Sequence, residues 1–114
     1  MSREEQVLEE LRALLREAVT ERRGLVTFTR LGGAELDRLA RQAERHALEQ
    51  VASRIPRDPN GPILAAVAAA LQVMHQELDH LEAATNIRPD SRALARDDVI
   101  WRTFERVAQL LGVL

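Results

Sequence analysis

The 114-residue sequence predicts an all-α chain folded as an antiparallel four-helix bundle. Three observations predict it. Apolar residues recur at three- and four-residue steps in four separate segments. The connectors between them are short, which favours antiparallel neighbours. Only one stretch breaks the helical spacing. In "GLVTFTRLGG", Val26 and Phe28 alternate with Thr27 and Thr29, which fits an irregular connector whose Val26 and Phe28 cover one end of the bundle, or a short strand-like segment at 25–31 between helices 1 and 2. The length suits a single domain spanning 1–114.

The first helix is read from "SREEQVLEELRALLREAVTERRG", where Val7, Leu8, Leu11, Leu14, Leu15, Ala18 and Val19 form a wide apolar stripe. Ser2 is placed to cap it, with Glu5 three residues on as the capping-box partner. Glu4 and Glu5 suit the positive end of the helix dipole, Arg22 and Arg23 the negative end. Gly24 is a natural stop. The second helix is "GAELDRLARQAERHALEQVASRI", with Leu36, Leu39, Ala40, Ala43, Ala47, Val51 and Ile55 on one face. Alanine on that stripe lets a neighbouring helix approach closely. "PRDPNGP" then ends the helix in a firm turn.

The third helix opens on Pro62, a residue suited to a first helical turn. Leu64, Val67, Leu71, Met74, Leu78 and Leu81 alternate steps of three and four, an a/d heptad seam. Ala65, Ala66, Ala68, Ala69 and Ala70 surround its start, so the spacing predicts a central helix contacted on several sides. "NIRPDSRALARDDV" reads as a connector holding a short helix from near Asp90. The last segment, "DDVIWRTFERVAQLLGVL", carries Ile100, Trp101, Phe104, Val107, Ala108 and Leu111, with Asp97 or Asp98 as its N-cap. The expected core is Leu64, Val67, Leu71, Met74, Leu78, Trp101 and Phe104.

Composition narrows the function. Apolar residues make up 46 % and charged residues 30 %, which suits a globular protein and argues against disorder. The net charge of −2 supplies no overall basic field for nucleic acid. The absence of cysteine removes disulfides, thiolate metal sites and thiol nucleophiles together. The polar N-terminus lacks a signal pattern, and "PILAAVAAALQVM" is too short to span a bilayer, so a cytoplasmic protein with no membrane partner is expected. Every basic side chain apart from histidine is Arg. That pattern fits the codon usage of a GC-rich bacterial genome as well as it fits anion recognition.

Two constellations carry chemistry. In "HQELDH", Glu77 and His80 have the Glu-x-x-His spacing that resembles the carboxylate-bridged di-iron bundles, because i and i+3 side chains reach one metal. The resemblance implies a second such motif, which a homodimer would supply. His75, Asp79 and Glu82 form a neighbouring set at i, i+4 and i+7. Together, His75, Glu77, Asp79, His80 and Glu82 are the candidate metal ligands. The second constellation is basic. Arg22, Arg23, Arg30, Arg38, Arg41 and Arg45 fall around the first turn, and a strand followed by a helix resembles the ribbon-helix-helix DNA binders. That resemblance implies base contacts from Thr27 and Thr29 and phosphate contacts from Arg30, with Arg38 and Arg41 beside them. Arg41 and His46 also have the Arg-x4-His shape that resembles the helical HEPN ribonucleases. The resemblance implies action on an RNA 2′-hydroxyl and phosphate, although five residues turn about 140° around a helix and separate the two.

No phosphate-cradling glycine loop, paired acidic motif or cofactor fingerprint is present, so no cofactor is expected. The sequence therefore predicts a non-catalytic adaptor, scaffold or accessory subunit acting through protein–protein contacts, as a homodimer. A nucleic-acid binder using the Arg-rich surface around 22–45 and a metal-binding bundle using "HQELDH" are the alternatives.

Overall fold

A computed structural model describes the backbone of residues 2–27 and 33–114, and the side chains of these except 23–27 and 34. It is all-helical, with α1 at Arg3–Thr27, α2 at Gly33–Arg54, α3 at Pro62–Ala83 and α4 at Pro89–Leu110. The order is that of a four-helix bundle, and no strand occurs among the described residues. Ser2 caps α1 as its sequence implies: the Glu5 amide donates to Ser2 Oγ at 3.2 Å.

The strand-like segment at 25–31 is not found where the structure describes it. Helix α1 passes through Gly24 and ends at Thr27; residues 28–32 lie outside the described residues. A glycine stops a helix by turning left-handed, and among the described residues only Gly61 and Gly112 have positive φ. Inside a helix, glycine costs only about 1 kcal/mol relative to alanine, which a helix of 25 residues absorbs.

The second correction concerns the C-terminal third. Residues 89–110 form one helix, and Asp97 and Asp98 lie within it instead of capping it. Pro89 starts the helix, because its fixed φ suits the first turn and it needs no amide partner there. Nothing between Asp90 and Asp98 breaks a helix. The far end closes in a Schellman motif: Val113 N–H donates to the Ala108 carbonyl at 2.9 Å, Gly112 N–H to the Gln109 carbonyl at 3.1 Å, and Gly112 takes φ 71°. Val113 then folds back onto the core.

The third correction is the position of α3. It lies at an edge, packed mainly along α4, while α1 packs along α2, and α2 and α4 join the two pairs. Ala65 and Ala69 are exposed, so the alanines mark an open flank and not a helix surrounded by others.

Burial is concentrated at one end. The core takes Leu8, Leu11, Leu15 and Ala18 from α1, Ala47, Leu48 and Val51 from α2, Leu64, Val67, Leu71 and Met74 from α3, and Val99, Ile100, Phe104, Val107 and Ala108 from α4. Most of these lie in the first half of α1 and α3 and the second half of α2 and α4. Polar contacts tie the same end. Arg54 Nε donates to Glu10 Oε1 at 2.9 Å, and Arg12 Nε donates to the Leu111 carbonyl at 2.9 Å. Beyond Met74 no α3 residue is buried, and before Val99 no α4 residue is buried. Of the expected core, Leu78 and Trp101 are only half-buried.

Among the described residues the bundle is thus closed at one end and open along the far half of α3 and α4. Its extents are 46 × 38 × 18 Å, and its radius of gyration of 15.3 Å exceeds the value near 13 Å typical of this length.

Gly61 holds the closed end together at the α2–α3 turn. Its φ of 108° and ψ of 153° fall in a region that only glycine occupies readily. A Cβ there would also displace the Glu4 carboxylate, a side-chain end that can swing away. Gly61→Ala should therefore cost about 1–3 kcal/mol through the backbone alone. A chemical denaturation midpoint equal to wild type would contradict this.

Candidate functional site

The open half leaves a groove between α3 and α4 of about 540 Å³. Val73, Leu81, Ala95 and Val99 give it an apolar floor, and Glu77, His80, Asp98 and Arg102 line it with polar groups. A second hollow of about 330 Å³ continues it past Ala70, Thr103 and Arg106. Val73, Glu77, Val99 and Arg102 belong to both, so the two form one trough along the helix pair.

The trough follows from the sequence pattern. The a/d seam of α3 runs on to Leu78 and Leu81, which pack against the core but are only partly buried, Met74 being the last fully buried residue of α3. Leu81 is left to line the groove. On the opposite edge of α3, Ala66, Ala70, Val73, Glu77 and His80 repeat the same four-three spacing. Val73 is 51 % exposed. Arg102 bridges the two walls: its Nε lies 3.0 Å from Asp98 Oδ2 and its Nη2 lies 3.9 Å from Glu77 Oε2.

A smaller cleft of about 190 Å³ opens between α2 and α4. Arg38, Arg41, Gln42 and Arg45 face Ala93, Arg96, Asp97 and Ile100 across it. Both sets have i, i+3, i+4, i+7 spacing, so each is one helix face. Three of the four guanidinium groups are neutralised nearby. Arg41 pairs with Glu44, Arg45 with Glu49 at 3.2 Å, and Arg96 with Glu82.

Glu44 is the feature that the sequence reading missed. It is 1 % exposed, and both its oxygens are paired at 2.8 Å, one to Arg22 of α1 and the other to Arg41 of α2. Arg41 in turn lies 5.5 Å from the Trp101 ring centroid on α4, within cation–π range. One carboxylate therefore links three helices. The signal was present: Glu44 falls on the apolar stripe between Ala40 and Ala47 at helical spacing.

The candidate metal ligands divide between faces. Glu77 and His80 line the α3/α4 groove. His75 and Asp79 line a separate hollow beside Ala52 of α2 and Ile55, the residue after it. Glu82 pairs with Arg96. Among the described residues, no three His, Asp or Glu side chains are grouped so as to hold a metal ion.

Of the candidate nucleic-acid residues, the structure brings Arg38 and Arg41 together in the α2/α4 cleft. Thr27 is the last residue of α1, while Thr29 and Arg30 lie outside the described residues. His46 is exposed and does not line the cleft that holds Arg41.

Among the described residues, no helix is long and apolar enough to cross a membrane. No family model, curated protein or solved structure matches this chain.

Proposed function

We propose that this chain is a small non-catalytic scaffold or accessory subunit that works through protein–protein contacts made by the outer face of α3 and α4. The observation that carries this reading is the half-exposed Val73 beside the partly buried Leu81 on the α3/α4 trough, which no other helix lines among the described residues. A groove with an apolar floor and polar rim suits an amphipathic helix. Two of its carboxylates, Glu77 and Asp98, are paired with Arg102, which fits a contact surface better than a reacting centre.

The test is a paired capture with tagged wild type and tagged Val73→Arg at equal expression. Proteins enriched on the first and lost from the second support the reading. An identical set on both, with the fold intact, overturns it.

A second reading has one observation in its favour, the four arginines that face each other across the α2/α4 cleft. They suit the phosphates of a polyanion. Under that reading, Arg38→Gln with Arg45→Gln should weaken RNA or DNA binding and flatten its salt dependence. A mobility shift insensitive to both substitutions would remove it.

A further inference from the structure

We infer that the occupant of the α3/α4 trough is a second copy of this chain, seated antiparallel about a two-fold axis that passes near Val73. The inference rests on the reading of this face as a contact surface and adds the partner and its orientation.

The chain exposes 7733 Å², whereas a compact monomer of 12.8 kDa exposes about 6,300 Å². The surplus, on the order of 1,400 Å², exceeds the roughly 800 Å² that each partner loses in a standard protein interface. The trough, open along α3 and α4 with Val73 half exposed, is one part of that surface. Two such helix pairs, face to face, make a second four-helix layer with the trough floors as its core.

Along the trough the charged groups are ordered. Arg106 lies at the Ala70 end, Arg102 and Glu77 in the middle, and Asp98 at the Leu81 end. The lining carries two acids and two bases and is neutral as a whole. A parallel copy would set Arg106 against its own equivalent. An antiparallel copy sets Arg106 against the partner's acidic end, and does so twice. Arg102, near the axis, meets its own equivalent in either arrangement but is paired to Asp98 and Glu77 within its own chain, so the ends of the gradient favour an isologous two-fold.

The α3 flank nearest the axis is Ala69, Ala70 and Val73. Small residues there let two α3 helices approach, with Val73 as the one projecting apolar group at the centre.

The experiment combines sedimentation with cross-linking. The chain has no cysteine, so an introduced one is unique. Wild type should sediment at twice 12.8 kDa at high micromolar concentration. Val73→Cys should be linked to its partner by a short bis-maleimide, and Glu17→Cys on the exposed side of α1 should not. Val73→Arg should raise the dimer dissociation constant on the order of a hundredfold while helix content and melting cooperativity hold. Arg106→Glu should also weaken the dimer, and Arg106→Glu combined with Asp98→Arg should restore it, because the pair reforms with reversed sign across the axis.

A wild-type chain that stays monomeric overturns the second copy. So does a dimer that links through Glu17→Cys and not Val73→Cys. If that monomer still shows capture that Val73→Arg abolishes, the contact surface stands and another protein fills it. If capture is also unchanged, both inferences fail.

Discussion

Glu44→Ala should lower stability by roughly 3 kcal/mol and the melting temperature on the order of 12 °C. The carboxylate is 1 % exposed and holds Arg22 and Arg41 at 2.8 Å each. Removing it leaves two guanidinium groups close together with nothing between them. Arg41, with its side chain 23 % exposed, has little water to turn to; Arg22, at 41 %, has more, which keeps the loss at the lower end of the buried-pair range. Glu44→Gln preserves shape and one acceptor and should cost about half as much. The triad acts as a unit, so Arg22→Ala and Arg41→Ala should combine with Glu44→Ala to much less than the sum of their separate effects. A loss below about 1 kcal/mol for Glu44→Ala would mean that the buried carboxylate contributes little beyond its own desolvation.

Phe104→Ala should cost about 3–4 kcal/mol, on the scale of the whole stability of a marginal domain. Phe104 is buried at the closed end, on the helix that touches both α2 and α3. Among the described residues the core cluster lies mostly toward that end of a molecule 18 Å thick in its shortest direction. No second layer stands behind Phe104 to collapse into the void, so the cavity penalty adds to the lost transfer energy. Urea unfolding should show a lower midpoint with an unchanged slope, because the same surface is exposed on unfolding. A midpoint shift equivalent to less than about 1 kcal/mol would contradict the single-ended core.

Period and punctuation made the fold class legible in the sequence. The 3.6-residue stripes mark all four helices, and Pro62 and Gly61 mark the start of α3 as the structure has it. What failed were punctuation marks read alone. Gly24 looked like a stop, but a glycine ends a helix only when the chain beyond it turns away, and here α1 continues to Thr27. Asp97 and Asp98 looked like caps, but caps are needed only where a helix begins, and Pro89 had already begun it. The alternation in "VTFTRL" remained ambiguous because a run so short fits two periods at once.

Packing partners were harder to read than elements. The alanines of α3 are compatible with a central helix or an open flank, since a small side chain permits close approach without requiring it. The arginines named around the first turn share a surface in part: Arg38, Arg41 and Arg45 do, joined by Arg96 from a helix 50 residues away. Only tertiary structure brings Arg96 there. Of the apolar groove residues only Leu81 stands on a stripe read from the sequence; Val73, Ala95 and Val99 lie off those stripes, and the trough they form depends on how α3 and α4 pack.

The most direct test of the α3/α4 contact surface and its occupant is hydrogen exchange, read by mass spectrometry at about 1 µM and about 100 µM. A second copy over the trough predicts that peptides spanning 70–81 and 95–106 exchange more slowly at the higher concentration, with α1 changing least. Rates equal at both concentrations, or slowing confined to α1 and α2, would contradict it.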